Sequence, residues 1–128
     1  MSKQIIHTDK APAAVGPYSQ AVATTATKMV FLSGQIGFVP ATGELVTSSF
    51  EDQVKQAFTN MASVVEAAGG NLNQIVKLNL YLTDLNNFSV VNDIMAAMIP
   101  EPFPARSTVG VASLPKGATF EVEAILAI

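Results

Sequence analysis

The sequence predicts a two-layer α+β domain, one mixed β-sheet with two helices packed on one face. Three observations predict it. Two stretches carry apolar residues at helical spacing. Six others read as extended strands. Their order is strand, strand, strand, helix, strand, helix, strand, strand. The chain has 128 residues, a length suited to one domain spanning 1–128. No repeat or Pro/Gly/Ser-rich linker divides it.

Ile5 to His7 form a brief extended piece. Pro12 and Pro17 make the next stretch loop-like, because proline fixes φ and restricts its predecessor. Tyr18 to Thr24 read as a second strand. Lys28 to Ile36 form a third, apolar on both faces and therefore expected to be buried on both sides. Pro40 to Gly43 are turn-like. The first helix is the clearest element. Ser48 or Ser49 caps it, with Glu51 or Asp52 three residues on. Phe50, Val54, Ala57, Phe58, Met61, Val65 and Ala68 then share one face, and Gly69-Gly70 stop it. Val76, Leu78, Leu80 and Leu82 alternate with Lys77, Asn79, Tyr81 and Thr83, the period-two signature of a strand with unlike faces. Asp84 caps a second helix with Phe88, Val91, Met95 and Met98 inward, ended by Pro100, Pro102 and Pro104. Ala105 to Ala112 and Thr119 to Ile128 are the last strands. In the final one Phe120, Val122, Ala124, Leu126 and Ile128 oppose Glu121, Glu123, Ile125 and Ala127. Two helices cover only one sheet face, so apolar groups on the other, such as Ile125 and Ala127, are expected to meet another subunit.

Composition narrows the function. Hydrophobic residues make up 49% and charged residues 13%, too apolar for a disordered chain. The formal net charge is −3 and Arg106 is the lone arginine, so no footprint for nucleic acid or an anionic membrane is visible. No cysteine is present, which excludes thiolate nucleophiles and cysteine-bound metals. The one histidine, His7, reads as a surface residue, and a Ser-His-Asp triad has no basis here. No phosphate-binding glycine motif occurs. The start lacks a signal-peptide core and no apolar run reaches the roughly 20 residues of a bilayer span. The cytoplasm is the expected address.

Arg106, with Thr108 and Gly110 on its side, precedes the strand bearing Glu121 and Glu123. If the last two strands pair, the guanidinium comes near the glutamates on the helix-free face. A guanidinium grips a carboxylate through two parallel hydrogen bonds, and a partly dry glutamate activates water. The structural alternative is an intersubunit salt bridge. Tyr18, after Gly16-Pro17, either aims into a cleft or simply packs. Gly34, in Ser33-Gly34-Gln35, either admits a ligand to the backbone or marks a bulge. Thr108 lacks a base, so its hydroxyl reads as a hydrogen-bonding group. Asn92, inside the second helix, either has a task or is solvated.

The strings APAAVGPYSQA, FLSGQIG, DQVKQAFTNMASVVEAAG, IVKLNLYLTDLNNFSVVN and PFPARSTVGVASLPKGATFEVEAI run nearly end to end. Together they resemble the RidA family. The resemblance implies a chorismate-mutase-like domain in a homotrimer whose sheets form a central barrel, with ligand pockets between subunits. It implies hydrolytic deamination of 2-aminoacrylate, 2-aminocrotonate and related imines, released by pyridoxal-phosphate enzymes, to 2-oxo acids and ammonia, without metal or organic cofactor. Matched position by position, the carboxylate-binding arginine falls on Arg106 and the water-associated glutamate on Glu121. The substrate-binding positions fall on Tyr18, Gly34, Asn92 and Thr108. Thr108 stands where the family often has cysteine, and its backbone N–H remains available. The proline-rich Met98 to Phe103 segment is short against the family pattern and is expected to border the pocket. Two other readings stay open: a sensor binding a 2-oxo acid or amino acid in the same pocket, and a holdase or RNA-cleaving role.

Overall fold

The computed structural model describes residues 2–128. Its strands are β1 (Ser2–Ile6), β2 (Ala21–Thr25), β3 (Met29–Gln35), β4 (Phe38–Val39), β5 (Glu44–Leu45), β6 (Ile75–Leu82), β7 (Ala105–Gly110) and β8 (Phe120–Ala127). Its helices are α1 (Phe50–Ala67) and α2 (Phe88–Met98). The main sheet has the order β3-β8-β6-β7. β6 and β7 run parallel because α2 crosses between them, and β8 is antiparallel to both β3 and β6. The sheet is therefore mixed, with helices on one face, as the alternation predicts. The short β4–β5 hairpin, closed by the predicted Pro40 to Gly43 turn, has no sequence counterpart. β1 and β2 pair separately.

α1 begins where the capping pattern places it. The Ser49 hydroxyl accepts from the Asp52 N–H at 3.0 Å, and the Ser48 hydroxyl donates to the Asp52 carboxylate at 2.8 Å. One of the four orphan donors at the helix start is thus satisfied. The core lies between the helices and the inward residues of β6 and β8. Leu78, Leu80 and Leu82 stand opposite Ala124, Val122 and Phe120, and all six are buried. Phe120 packs against Phe58 at 5.6 Å between ring centroids. Gln53, buried in α1, accepts from the Thr119 N–H at 2.7 Å and donates to the Val46 carbonyl at 2.9 Å. This clamp ties the start of β8 to the helix layer. Among the described residues no helix is long and apolar enough to cross a membrane.

Three expectations need correction. The last two strands are not neighbours, because β6 lies between them. The α2 crossover lays β7 along the outer side of β6, and β8 fills the gap between β6 and β3. β3 is not buried on both faces: it is an edge strand, with Phe31 73% and Met29 45% exposed. Its outer residues find no second layer within the chain. Tyr18 is not in a strand but in the turn before β2; next to it, Ser19 bridges to Ala105.

Candidate functional site

The site residues separate into two groups. The first lies at the β7 edge of the sheet. β7 pairs with β6 so that Arg106 stands beside Leu78 and Thr108 beside Leu80. Leu78 and Leu80 face the helices, so Arg106 and Thr108 face them too. The Arg106 guanidinium donates through Nη1 to Asn92 Oδ1 at 2.6 Å and to the Met95 sulfur at 3.6 Å, both on α2. Its Cζ lies 4.8 Å from the centre of the Tyr18 ring and 5.3 Å from that of Phe88. Two aromatic rings thus flank the cation. The Tyr18 side chain is set by a tight turn, in which its N–H donates to the Gly16 carbonyl at 2.8 Å and its hydroxyl accepts from the Val15 N–H at 3.3 Å.

Arg106 has no carboxylate partner among the described residues. Its half-burial lowers its pKa from the usual arginine value, with Tyr18 acting in the opposite direction. An arginine remains a cation even so. Nε and Nη2 make no hydrogen bond among the described residues. Arg106 borders a cleft of about 250 Å³ whose other lining residues are Val15, Tyr18, Phe88 and Thr108. The Thr108 hydroxyl is buried there without a partner. Thr108→Val, which keeps the shape and removes the orphan oxygen, is expected to raise the stability of the ligand-free protein by about 1 kcal/mol. Urea unfolding checks this; a lower midpoint would show that the assembled protein supplies the hydroxyl with a partner.

The second group lies on the opposite face. Glu121 stands beside Tyr81 and Glu123 beside Asn79, both pointing away from the helices. The two glutamates differ in their bonding. Glu123 accepts from the Tyr81 hydroxyl at 2.5 Å and from the Asn79 amide at 3.1 Å. That bond to Glu123, then burial and the charges of Glu123 and Glu121, push the Tyr81 pKa up. Glu121 makes no hydrogen bond among the described residues. Its carboxyl lies across Gly34, at a bulge where Leu32 pairs with Ala124 but Gln35 with Val122.

Tyr18, Asn92, Arg106 and Thr108 therefore come together, and Gly34 sits with Glu121. The expectation that Arg106 and Glu121 share one surface of the chain is corrected. They occupy opposite faces, with β6 between their strands. The Met98 to Phe103 segment does not line the Arg106 cleft of the single chain. It lines a separate hollow of about 710 Å³ with Asn71, Leu72 and Asn73, which offers no cation. Phe88 and Met95 were not anticipated as site residues, because both read as core. Phe88, Asn92 and Met95 are spaced four and three apart on α2, one helical face turned toward Arg106. A polar asparagine on that stripe is the signal that identifies them.

The sequence profile described as endoribonuclease L-PSP matches residues 8–128. The chain is 51% identical to the 2-iminobutanoate/2-iminopropanoate deaminase of Dermatophagoides farinae, over 98% of this chain and 97% of that protein. Among solved structures it is similar to RidA from an Antarctic Psychrobacter, at 52% identity and a TM-score of 0.76, over 98% of this chain and 99% of that one. It is also similar to E. coli TdcF, solved with bound serine, at 38% identity and a TM-score of 0.72, over 98% of each chain.

Proposed function

The chain belongs to the endoribonuclease L-PSP family, which includes RidA, and from this premise we propose that it hydrolyses 2-iminobutanoate and 2-iminopropanoate to 2-oxo acids and ammonia. The observation that carries the reading is the half-buried Arg106 guanidinium, flanked by aromatic rings and unmatched by any carboxylate among the described residues. Such a cation in a small, partly apolar cleft suits a small carboxylate bearing a short aliphatic chain. The relatives' names supply the class of that carboxylate.

The chemistry needs little machinery. Arg106 pairs with the substrate carboxylate and fixes its orientation, which lowers the entropic part of the barrier. Water adds to C2 as Glu121 accepts its proton, and the C=N π electrons move to nitrogen. The resulting carbinolamine receives that proton on nitrogen. The hydroxyl proton then passes to the amino nitrogen, the C–N bond breaks with its electrons on nitrogen, and ammonia leaves as the C=O bond of the 2-oxo acid forms. Tyr18 and Phe88 wall the cleft, and Asn92 holds the guanidinium at Nη1.

Because Arg106 and Glu121 occupy opposite faces of one chain, the site is composed of two chains, Arg106 from one and Glu121 from the next. A contact joining two different surfaces is heterologous, and we infer that its rotation closes as a ring. The exposed Met29, Phe31 and Val109 on the helix-free face supply an apolar surface for it. The ring is a homotrimer. The protein acts in the cytoplasm and needs neither metal nor organic cofactor.

RNA cleavage is the weaker reading despite the family's descriptive name. His7 pairs with Asp9 on the surface and does not line the cleft. The test is a coupled assay in which a serine or threonine dehydratase generates the imine and release of the 2-oxo acid is followed. Addition of this protein is expected to accelerate that release. No acceleration, together with firm binding of 2-oxobutanoate in calorimetry, would replace the enzyme with a sensor.

A further inference from the structure

The remaining question about the glutamate half is what holds Glu121 in place, since no hydrogen bond among the described residues does. Its carboxyl lies over Gly34. A Cβ built on Gly34 would fall 2.7 Å from Glu121 Cδ, 2.8 Å from Oε1 and 3.1 Å from Cγ. Real Cβ atoms do not approach carboxyl atoms so closely. The positive-φ glycines are Gly43, Gly69 and Gly117, and Gly34 is not among them. Its backbone is thus one that alanine adopts freely. The absent Cβ leaves room at this position, and the room is filled by the Glu121 side chain, which any larger residue would displace. The bulge in β3 fits the same account. It lifts Ser33-Gly34 out of the ladder with β8, and bulges re-aim what stands beside them.

We propose that Gly34 is a positioning residue: the bare backbone at the β3 bulge is the seat in which the Glu121 carboxylate rests, aimed off the helix-free face. This deepens the reading of Glu121 as the water-activating group and rests on it. This role stands beside the expected role of Gly34 as a ligand contact. With a methyl group in the seat, the carboxylate swings away, since the far end of a glutamate moves more readily than a strand. The ligand half of the site, around Arg106, is untouched.

The experiment is Gly34→Ala in the wild-type and Glu121→Gln backgrounds, read by the coupled imine assay. In the wild type kcat is expected to fall about 10- to 100-fold, the scale of a misplaced catalytic group. KM is expected to stay within about threefold, because uniform ligand binding is unchanged. In the Glu121→Gln background the same substitution is expected to change kcat by less than about twofold, because it acts only through the carboxylate. Glu121→Asp draws the carboxylate back by one methylene and shortens the side chain that the methyl group meets. Gly34→Ala is therefore expected to harm the Glu121→Asp protein less than the wild type, and this pair folds even if the methyl group destabilises the parent. A rise in KM at constant kcat would overturn the proposal and leave Gly34 as a ligand contact alone. So would equal fold-losses in all three backgrounds. If Glu121→Gln alone keeps full activity, the water-activating role of Glu121 fails first, and the seat loses its purpose with it.

Discussion

Arg106→Ala is expected to lower kcat/KM for imine hydrolysis about a thousandfold, since two charge-assisted hydrogen bonds of about 1.5–3 kcal/mol each are lost. The coupled dehydratase assay measures this, and calorimetry with 2-oxobutanoate reports the matching loss of binding. The oligomer is expected to survive. Arg106 stands at the outer edge of the sheet and holds no carboxylate of its own chain in an ion pair, so its removal strands no buried anion. What it leaves is a gap between the Tyr18 and Phe88 rings and an unoccupied acceptor on Asn92. Arg106→Lys separates charge from geometry. A lysine restores the cation but not the planar fork, and it is expected to recover less than about a tenth of the activity. Full activity in Arg106→Ala would remove the carboxylate grip from the mechanism.

The phase of each strand was legible in the sequence, but the sign was not always. In β6 and β8 the alternation sets leucines against asparagine and tyrosine, or phenylalanine against glutamate, so the inward face is unmistakable. In β7 the alternation puts Arg106, Thr108 and Gly110 on one side and Ala105, Ser107 and Val109 on the other. The second side is the more apolar, and Val111 continues it. Hydrophobicity therefore groups Arg106 with Thr108 correctly yet turns them to the helix-free face, the wrong one. The register with Leu78 and Leu80 decides it. The order of the strands is a decision of the same kind. It depends on a helix crossover and on where β8 inserts, both long-range events that local pattern does not encode.

The glutamates show a second limit. Glu121 and Glu123 are equivalent in the alternation, and only the resemblance favours Glu121. Coordinates separate them, because Tyr81 and Asn79 engage Glu123 while Glu121 rests on glycine. Apolar residues on β3 carried a true message that was read too literally. Met29 and Phe31 do need cover, but nothing in their own chain provides it.

Mixing two inactive variants is expected to restore activity, the second large effect. Arg106→Ala keeps Glu121, and Glu121→Ala keeps Arg106. If each site takes its arginine from one chain and its glutamate from the next, a ring containing both variants holds some sites with both groups intact. In equal amounts and random order, each half is present with even odds, so about a quarter of the sites are whole in any closed ring. Unfolding the two proteins together in urea and refolding them as a mixture is therefore expected to yield about a quarter of the wild-type rate. The same proteins mixed without unfolding, or refolded separately, are expected to stay near the background. The opposed faces of Arg106 and Glu121 make this outcome a necessity of the proposed mechanism, since no single chain can bring the two groups to one substrate. A refolded mixture with oligomers of normal mass and no activity would show that no site takes its arginine from one chain and its glutamate from the next, and would overturn the two-chain site.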